Sequence, residues 1–161
     1  MKDSNRPLWA PWRIDFIRSK KPSECFLCIN EINAETQENH IIYRGESCFV
    51  ILNKYPYNSG HLLIAPYRHI DDLDKSNGTE RIEMMDLCVK SEKVLKQVMN
   101  PEAFNIGFNL GIAAGAGVKD HIHMHIVPRW NGDTNFMPVF SNTRVVPEAL
   151  DETAKLLKAA W

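Results

Sequence analysis

His121-Ile122-His123-Met124-His125-Ile126-Val127 is the stretch on which the reading of this chain turns. Polar and apolar residues alternate through it, the pattern of a strand with one packed face. Residues i, i+2 and i+4 of a strand share a face, so the three imidazoles stand together, about 6.6 Å apart, opposite Ile122, Met124 and Ile126. Three readings of that row compete. A solvated face accounts for polar residues but not for histidine, since Ser, Thr, Lys or Glu would serve there. Three histidines also suit a catalytic zinc site. The third reading is nucleophilic catalysis: an imidazole with a pKa near 6.5 keeps a ring lone pair at neutral pH and can attack phosphorus, while its neighbours hold phosphate oxygens. The loop Gly111 to Gly117 just ahead favours the third, because glycines let backbone N–H groups approach an anion closely.

Outward from this row, the pattern predicts four more strands. His40–Tyr43 and Ser47–Leu52 form a hairpin around Gly45-Glu46, and the loop Lys54–Gly60 leads into a buried strand at His61–Ala65. Phe104–Asn109 alternates, with Phe104, Ile106 and Phe108 on one face, and His121–Val127 is the last strand, stopped by Pro128. The main helix carries Ile82, Met85, Cys88, Val89, Leu95 and Met99 at helical spacing, with Thr79 as a cap and Asn100-Pro101 as its end. A short amphipathic helix is predicted over Trp9–Lys20, and a C-terminal one after Pro147 with the stripe Leu150, Ala154, Leu157 and Trp161. The predicted class is α+β: an antiparallel sheet of about five strands, one main helix and terminal helices. A single domain over 1–161 is expected, its core at about 25–130.

The whole-chain balance narrows the partners. With 161 residues, 19 Lys+Arg against 20 Asp+Glu and a net charge of -1, the chain lacks the basic excess that coats nucleic acid or anionic membrane. No apolar run is long enough to span a bilayer, and no apolar segment follows the Met-Lys-Asp-Ser-Asn-Arg start, so a cytoplasmic location with reduced cysteines is expected. Cys25-x-x-Cys28 is open to three readings: two half-buried thiols, a redox pair, or half of a tetrahedral zinc site. Cys48 and Cys88 read as core residues and His40 as a surface residue. Trp9, Trp12, Trp130 and Trp161 read as packing or interface residues.

The row His-φ-His-φ-His-φ-φ, with φ apolar, resembles the signature of the histidine triad (HIT) family. Asn53 with Pro56, and Gly60-His61-Leu62-Leu63-Ile64-Ala65-Pro66, resemble its nucleoside-side segment. Leu8-Trp9-Ala10-Pro11-Trp12-Arg13, Leu52 to Asn58, Asn109-Leu110-Gly111 and Pro128-Arg129-Trp130 are similar to the bacterial and archaeal branch that includes diadenosine tetraphosphate phosphorylases. The resemblance implies a homodimeric enzyme with a small nucleotide substrate. It makes His123 the nucleophile on the α-phosphorus, forming a nucleotidyl-histidine, and places His125 on the phosphate and leaving-group side. It assigns Asn53 to the ribose hydroxyls, Asn109 to a phosphate oxygen, and His61 to the edge of the base and the support of the triad. Where many members carry Ser, Thr or Gln before the triad, this chain has Ala116-Gly117-Val118, which leaves the backbone around Gly117 to meet phosphate. Zinc-binding members imply a structural zinc on Cys25, Cys28, His69 and His121.

Phosphate or water as acceptor separates a phosphorylase from a hydrolase, and Lys54, Lys119 and Arg129 are candidate cations for an acceptor. Two rivals stand beside this reading. One is a nucleotide-binding or interaction protein with weak hydrolysis of adenosine phosphoramidates. The other is a metal-dependent hydrolase with zinc on His121, His123 and His125.

Overall fold

A computed structural model of the chain describes residues 25–29, 40–114, 120–133 and 148–161. The predicted helix at Trp9–Lys20, Pro147, and the loop residues Gly115, Gly117 and Lys119 lie outside them.

Five strands form one antiparallel sheet: β1 Ile41–Arg44, β2 Cys48–Leu52, β3 Leu62–Pro66, β4 Ala103–Phe108 and β5 Met124–Arg129, in the order β1-β2-β3-β5-β4. Two helices accompany them, α1 Gly78–Met99 and α2 Leu150–Ala160. The α+β class and the five-strand antiparallel sheet agree with the sequence reading. β2 and β3 are buried at every residue, because both faces of the sheet are covered at its centre. Val50, Leu52, Leu62, Ile64, Met124 and Ile126 face α1 and α2, meeting Met84, Leu87, Leu95, Ala154 and Leu157. Phe49, Ile51, Leu63 and Ala65 face the other way, against Leu27, Ile29 and Ile41. Each fully buried Leu or Ile side chain here contributes about 1.5–3 kcal/mol of hydrophobic burial. The second cluster also fixes the Cys25–Cys28 segment against the back of the sheet.

Several expectations are corrected. β5 starts at Met124 rather than His121, and Pro128 lies inside it, paired with Phe104 of β4. The proline is tolerated because of its side. Arg129 directs its carbonyl to Glu102 N–H next to β4, so Pro128 faces the other way, beyond the last β3 pair, Leu62↔Ile126. No ladder bond is lost there, and the Pro128 carbonyl accepts from Asn58 Nδ2–H at 3.1 Å. The cap of α1 is Asn77, not Thr79. Asn77 Oδ1 accepts from Glu80 N–H and the Glu80 carboxylate accepts from Asn77 N–H, a reciprocal capping box. The buried face of α1 is Met84, Leu87, Cys88, Ser91, Val94 and Leu95, while Ile82, Met85 and Val89 lie on the solvent side at 66%, 56% and 45% exposure. The spacing was helical, but two offset apolar stripes share this helix and only one packs inward. Ile106 is exposed as well, on the edge strand β4.

Two acidic residues of α1 bind the helix to the rest. Glu80, 2% exposed, holds the Arg68 guanidinium at 2.6 and 2.7 Å. Glu83 accepts the N–H groups of Glu46, Ser47 and Cys48 at 2.7, 2.6 and 3.0 Å, closing the turn between β1 and β2. Cys48 and Cys88 are buried core residues, as read. His40 is not a plain surface residue: its Nε2 lies 3.0 Å from Asp151 Oδ1 and ties the start of β1 to α2.

Candidate active site and metal cluster

The segment 121–125 carries two clusters back to back. His121 and His123 precede β5 and His125 lies within it. His121 is fully buried and turns away from its two companions. Its Nε2–H donates to the Pro66 carbonyl at 2.9 Å, which leaves the lone pair on Nδ1. That lone pair faces Cys25 Sγ at 3.4 Å and Cys28 Sγ at 3.7 Å, and Cys28 Sγ lies 3.2 Å from His69 Nδ1. The ligand atoms of Cys25, Cys28, His69 and His121 all fall within 4.8 Å of one another. Tetrahedral zinc with S at about 2.3 Å and N at about 2.0–2.1 Å requires ligand–ligand edges of roughly 3.3–3.8 Å. The residues therefore fit such an ion in donor type, number and spacing. Among the described residues this is the cluster with metal-ligand geometry, and His121, His123 and His125 do not form one. A zinc site on the three triad histidines is thus set aside.

The other cluster is a chain of hydrogen bonds whose direction can be read from its ends. Tyr57 N–H donates to His61 Nδ1 at 3.0 Å, and Asn53 Nδ2–H reaches the same nitrogen at 3.2 Å. A backbone N–H can only donate, so His61 carries its proton on Nε2. His61 Nε2–H then donates to His125 Nδ1 at 2.9 Å, which leaves the proton of a neutral His125 on Nε2. Burial, aided by His123, pushes the His125 pKa down to about 4, so the neutral form holds. Asn109 Nδ2 lies 3.3 Å from that Nε2; two N–H groups cannot face each other, so the proton on His125 Nε2 requires the Asn109 amide to be turned with Oδ1 toward it.

His123, 5% exposed, is oriented by another carbonyl. Its Nδ1–H donates to His121 O at 2.8 Å, which leaves an unprotonated Nε2. Burial lowers the pKa of His123 and of His121 from the ordinary imidazole value. The His123 and His125 rings lie 4.8 Å apart, edge to face. The half-exposed Tyr57 ring lies over His125 at 5.6 Å and over His61 at 4.7 Å.

The sequence-predicted residues distribute as follows. His123, His125, His61, Asn53 and Asn109 come together in one hydrogen-bonded group; Cys25, Cys28, His69 and His121 come together in the other. Gly117 lies outside the described residues. Asn53 is 9% exposed, and its Oδ1 accepts from Tyr55 N–H at 2.9 Å, so its amide supports the loop as well as facing His61. Arg129 is not available as an open cation: its guanidinium grips Asp133 at 2.6 and 2.9 Å and Asn105 at 2.7 Å. Lys54 is exposed beside Asn53. Two contributors escaped the sequence reading, Tyr57 and Asp133. Tyr57 acts through a backbone N–H, which residue type does not reveal, although its place four residues before His61 in a Pro-containing loop was a usable signal.

Gly60 completes the local geometry. Its φ of +72° suits glycine, and a Cβ there would meet Met99 Sδ at 2.5 Å, so the turn into His61 packs directly on the end of α1.

A HIT domain family model matches residues 34–132, and the chain belongs to that family. It is 35% identical to a Mycobacterium tuberculosis protein named AP-4-A phosphorylase, over 99% of this chain and 86% of that one. It is 30% identical to the Schizosaccharomyces pombe bis(5'-nucleosyl)-tetraphosphatase (asymmetrical), over 59% of this chain and 52% of that one. Among solved structures, a Zn-bound histidine triad family protein from Mycobacterium smegmatis superposes with a TM-score of 0.66 at 29% identity, covering 85% of this chain and 92% of that one.

Proposed function

We propose that this chain is an enzyme acting on nucleoside phosphates, transferring a nucleotidyl group from a dinucleoside polyphosphate such as diadenosine tetraphosphate by way of His123. The observation that carries it is the pair of contacts on the two rings, His121 O at His123 Nδ1 and His61 Nε2 at His125 Nδ1, from which a lone pair on His123 Nε2 and a proton on His125 Nε2 follow. In the first step the His123 Nε2 pair attacks the α-phosphorus, the P–N bond forms and the bond to the leaving polyphosphate oxygen breaks. His125 Nε2–H is placed to hydrogen-bond that oxygen, which departs as the polyphosphate anion and keeps the bond's electron pair. In the second step a phosphate oxyanion, or a water that releases its proton to solvent, attacks the same phosphorus, the P–N bond breaks, and its electron pair returns to His123 Nε2. Dividing the displacement in two lowers each barrier, and N–H groups meet the phosphorane charge.

Asn109 contributes at the phosphate side and His61 through His125. Asn53 contributes to the ribose through the second lone pair of Oδ1, the resemblance assigns phosphate to the Gly117 backbone, and exposed Lys54 is the candidate cation for the polyphosphate. Phosphate is favoured as the acceptor by the similarity to the mycobacterial AP-4-A phosphorylase. Cys25, Cys28, His69 and His121 would hold zinc, which supplies a crosslink between the Cys segment, the end of β3 and the triad. A cytoplasmic single domain acting as a homodimer completes the reading; the exposed Ile82, Met85 and Val89 on α1 and Ile106 on edge strand β4 support a second copy there.

The test is incubation with diadenosine tetraphosphate, with and without phosphate, followed by product identification. ATP plus ADP formed only with phosphate supports the phosphorylase, and AMP plus ATP the hydrolase. No turnover of that compound or of an adenosine phosphoramidate leaves a nucleotide-binding protein. Sedimentation of wild type against Ile82→Lys tests the homodimer.

A further inference from the structure

We infer that Asn58, Asp133 and Arg129 form a positioning clamp that selects the tautomer of His125 from outside the catalytic cluster. This rests on the function proposed above only in its kinetic consequences.

The clamp lies at the far end of the loop between β2 and β3. Asn58 Nδ2 donates to the Pro128 carbonyl at 3.1 Å and to Asp133 Oδ2 at 2.8 Å, while its Oδ1 accepts from Ser59 N–H at 3.2 Å and its backbone carbonyl from His61 N–H at 3.2 Å. The carboxylate of Asp133, 9% exposed, is held in turn by the forked Arg129 guanidinium and by Trp130 N–H at 3.2 Å. A buried carboxylate met by four donors from two segments is a rigid anchor. It joins the 53–61 loop to the end of β5, the strand that carries His125.

The residue next to the anchor is Tyr57, whose N–H fixes the acceptor character of His61 Nδ1. The consequence passes along two bonds: His61 must donate through Nε2, and His125 must accept on Nδ1 and carry its proton on Nε2. The Tyr57 ring also lies over both imidazoles. Release of Asn58 frees Tyr57 N–H to leave His61. His61 can then protonate on Nδ1 instead, and His125 loses the donor that holds its Nδ1 unprotonated. Asn53 Nδ2 remains on His61 Nδ1 with its amide set by Tyr55 N–H on Oδ1, but that bond belongs to the same 53–61 loop and shifts when the anchor is released. The clamp acts first through Tyr57 N–H, which can only donate.

The experiment uses the full chain labelled with 15N-histidine and long-range 1H–15N correlation at pH 7, with steady-state kinetics on diadenosine tetraphosphate. Wild type is expected to show His125 protonated at Nε2. Asn58→Ala and the isosteric Asp133→Asn are expected to show mixed His61 and His125 tautomers, with kcat lowered roughly tenfold and KM within about threefold. The correlation reads only folded protein, and Asp133→Asn retains the side-chain shape should Asn58→Ala fold poorly. A folded Asp133→Asn protein with the wild-type His125 tautomer and an unchanged kcat overturns the clamp. If wild type turns over no nucleotide, the proposed function fails, while a tautomer change in the variants still supports the clamp.

Discussion

The two ends of the segment 121–125 use the same residue type for opposite purposes, and the difference lies in the partner of the second ring nitrogen. At His121 a carbonyl takes Nε2–H and turns the lone pair of Nδ1 toward two thiols. At His123 a carbonyl takes Nδ1–H and leaves the lone pair on Nε2. Both histidines are bonded to a backbone carbonyl, yet in the function proposed above one serves a metal and the other phosphorus. At His125 a neighbouring imidazole N–H replaces the carbonyl and the proton moves to Nε2. Backbone placement around each ring, more than the ring itself, decides its chemistry. The two ends are also joined, since the carbonyl that orients His123 belongs to His121.

The largest expected effect separates the ends. His123→Ala should abolish nucleotide transfer, lowering kcat by about 10⁴-fold or more, while bound zinc, measured by elemental analysis, stays at the wild-type level. Loss of zinc in that variant would break the division drawn above. Cys28→Ser should do the reverse at first: zinc is lost and thermal stability falls, a loss of roughly 3 kcal/mol corresponding to about 6–12 °C in Tm. If transfer also weakens in the folded fraction, the His121 carbonyl link between the ends is sharpened. A smaller effect is expected from His61→Ala, roughly tenfold in kcat with zinc unchanged, because His125 loses its orienting donor but not its place in β5.

The smallest effect near neutrality is that of pH. His125, faced by His61, His123, Tyr57 and Asn109, has its pKa lowered to about 4 against an ordinary value of 6.5. Between these values the unfolded chain binds a proton that the folded one does not, so stability rises with pH in that window. Stability is therefore fully present above about pH 7, falls as pH drops from 6.5 toward 4, and levels off below. Activity should stay flat from pH 8 to about 5.5. An acid limb of kcat/KM near pH 6.5, measured in a constant-ionic-strength buffer series, would contradict a buried neutral His125.

Much of this was legible in the chain. Alternation marked β4 and β5, a turn signal between two short runs marked β1 and β2, and a continuous apolar run marked β3, which with β2 is buried at every residue. The grouping of His61 with the triad, and of the cysteines with His69 and His121, followed from the family resemblance. What stayed hidden depends on contacts between segments distant in sequence. Ile82, Met85 and Val89 have the spacing of a core stripe, and only the sheet's position shows that Met84, Leu87 and Cys88 face it. Pro128 reads as a terminator until β3 is seen to end before reaching it. Arg129 reads as an open cation until Asp133 is found in its grip. The direction of a hydrogen-bond chain has no residue code, because it begins at the backbone N–H of Tyr57.

The Glu83 carboxylate has a consequence for how the molecule opens. The N–H groups of Glu46, Ser47 and Cys48 all end on this one side chain of α1, so the β1–β2 turn has no backbone partners of its own for them. Separating the helix from the hairpin uncovers three donors at once, in a single step. The tip of the hairpin and the first half of α1 are thus one cooperative unit, and their amide protons exchange with solvent together rather than by fraying of an isolated loop.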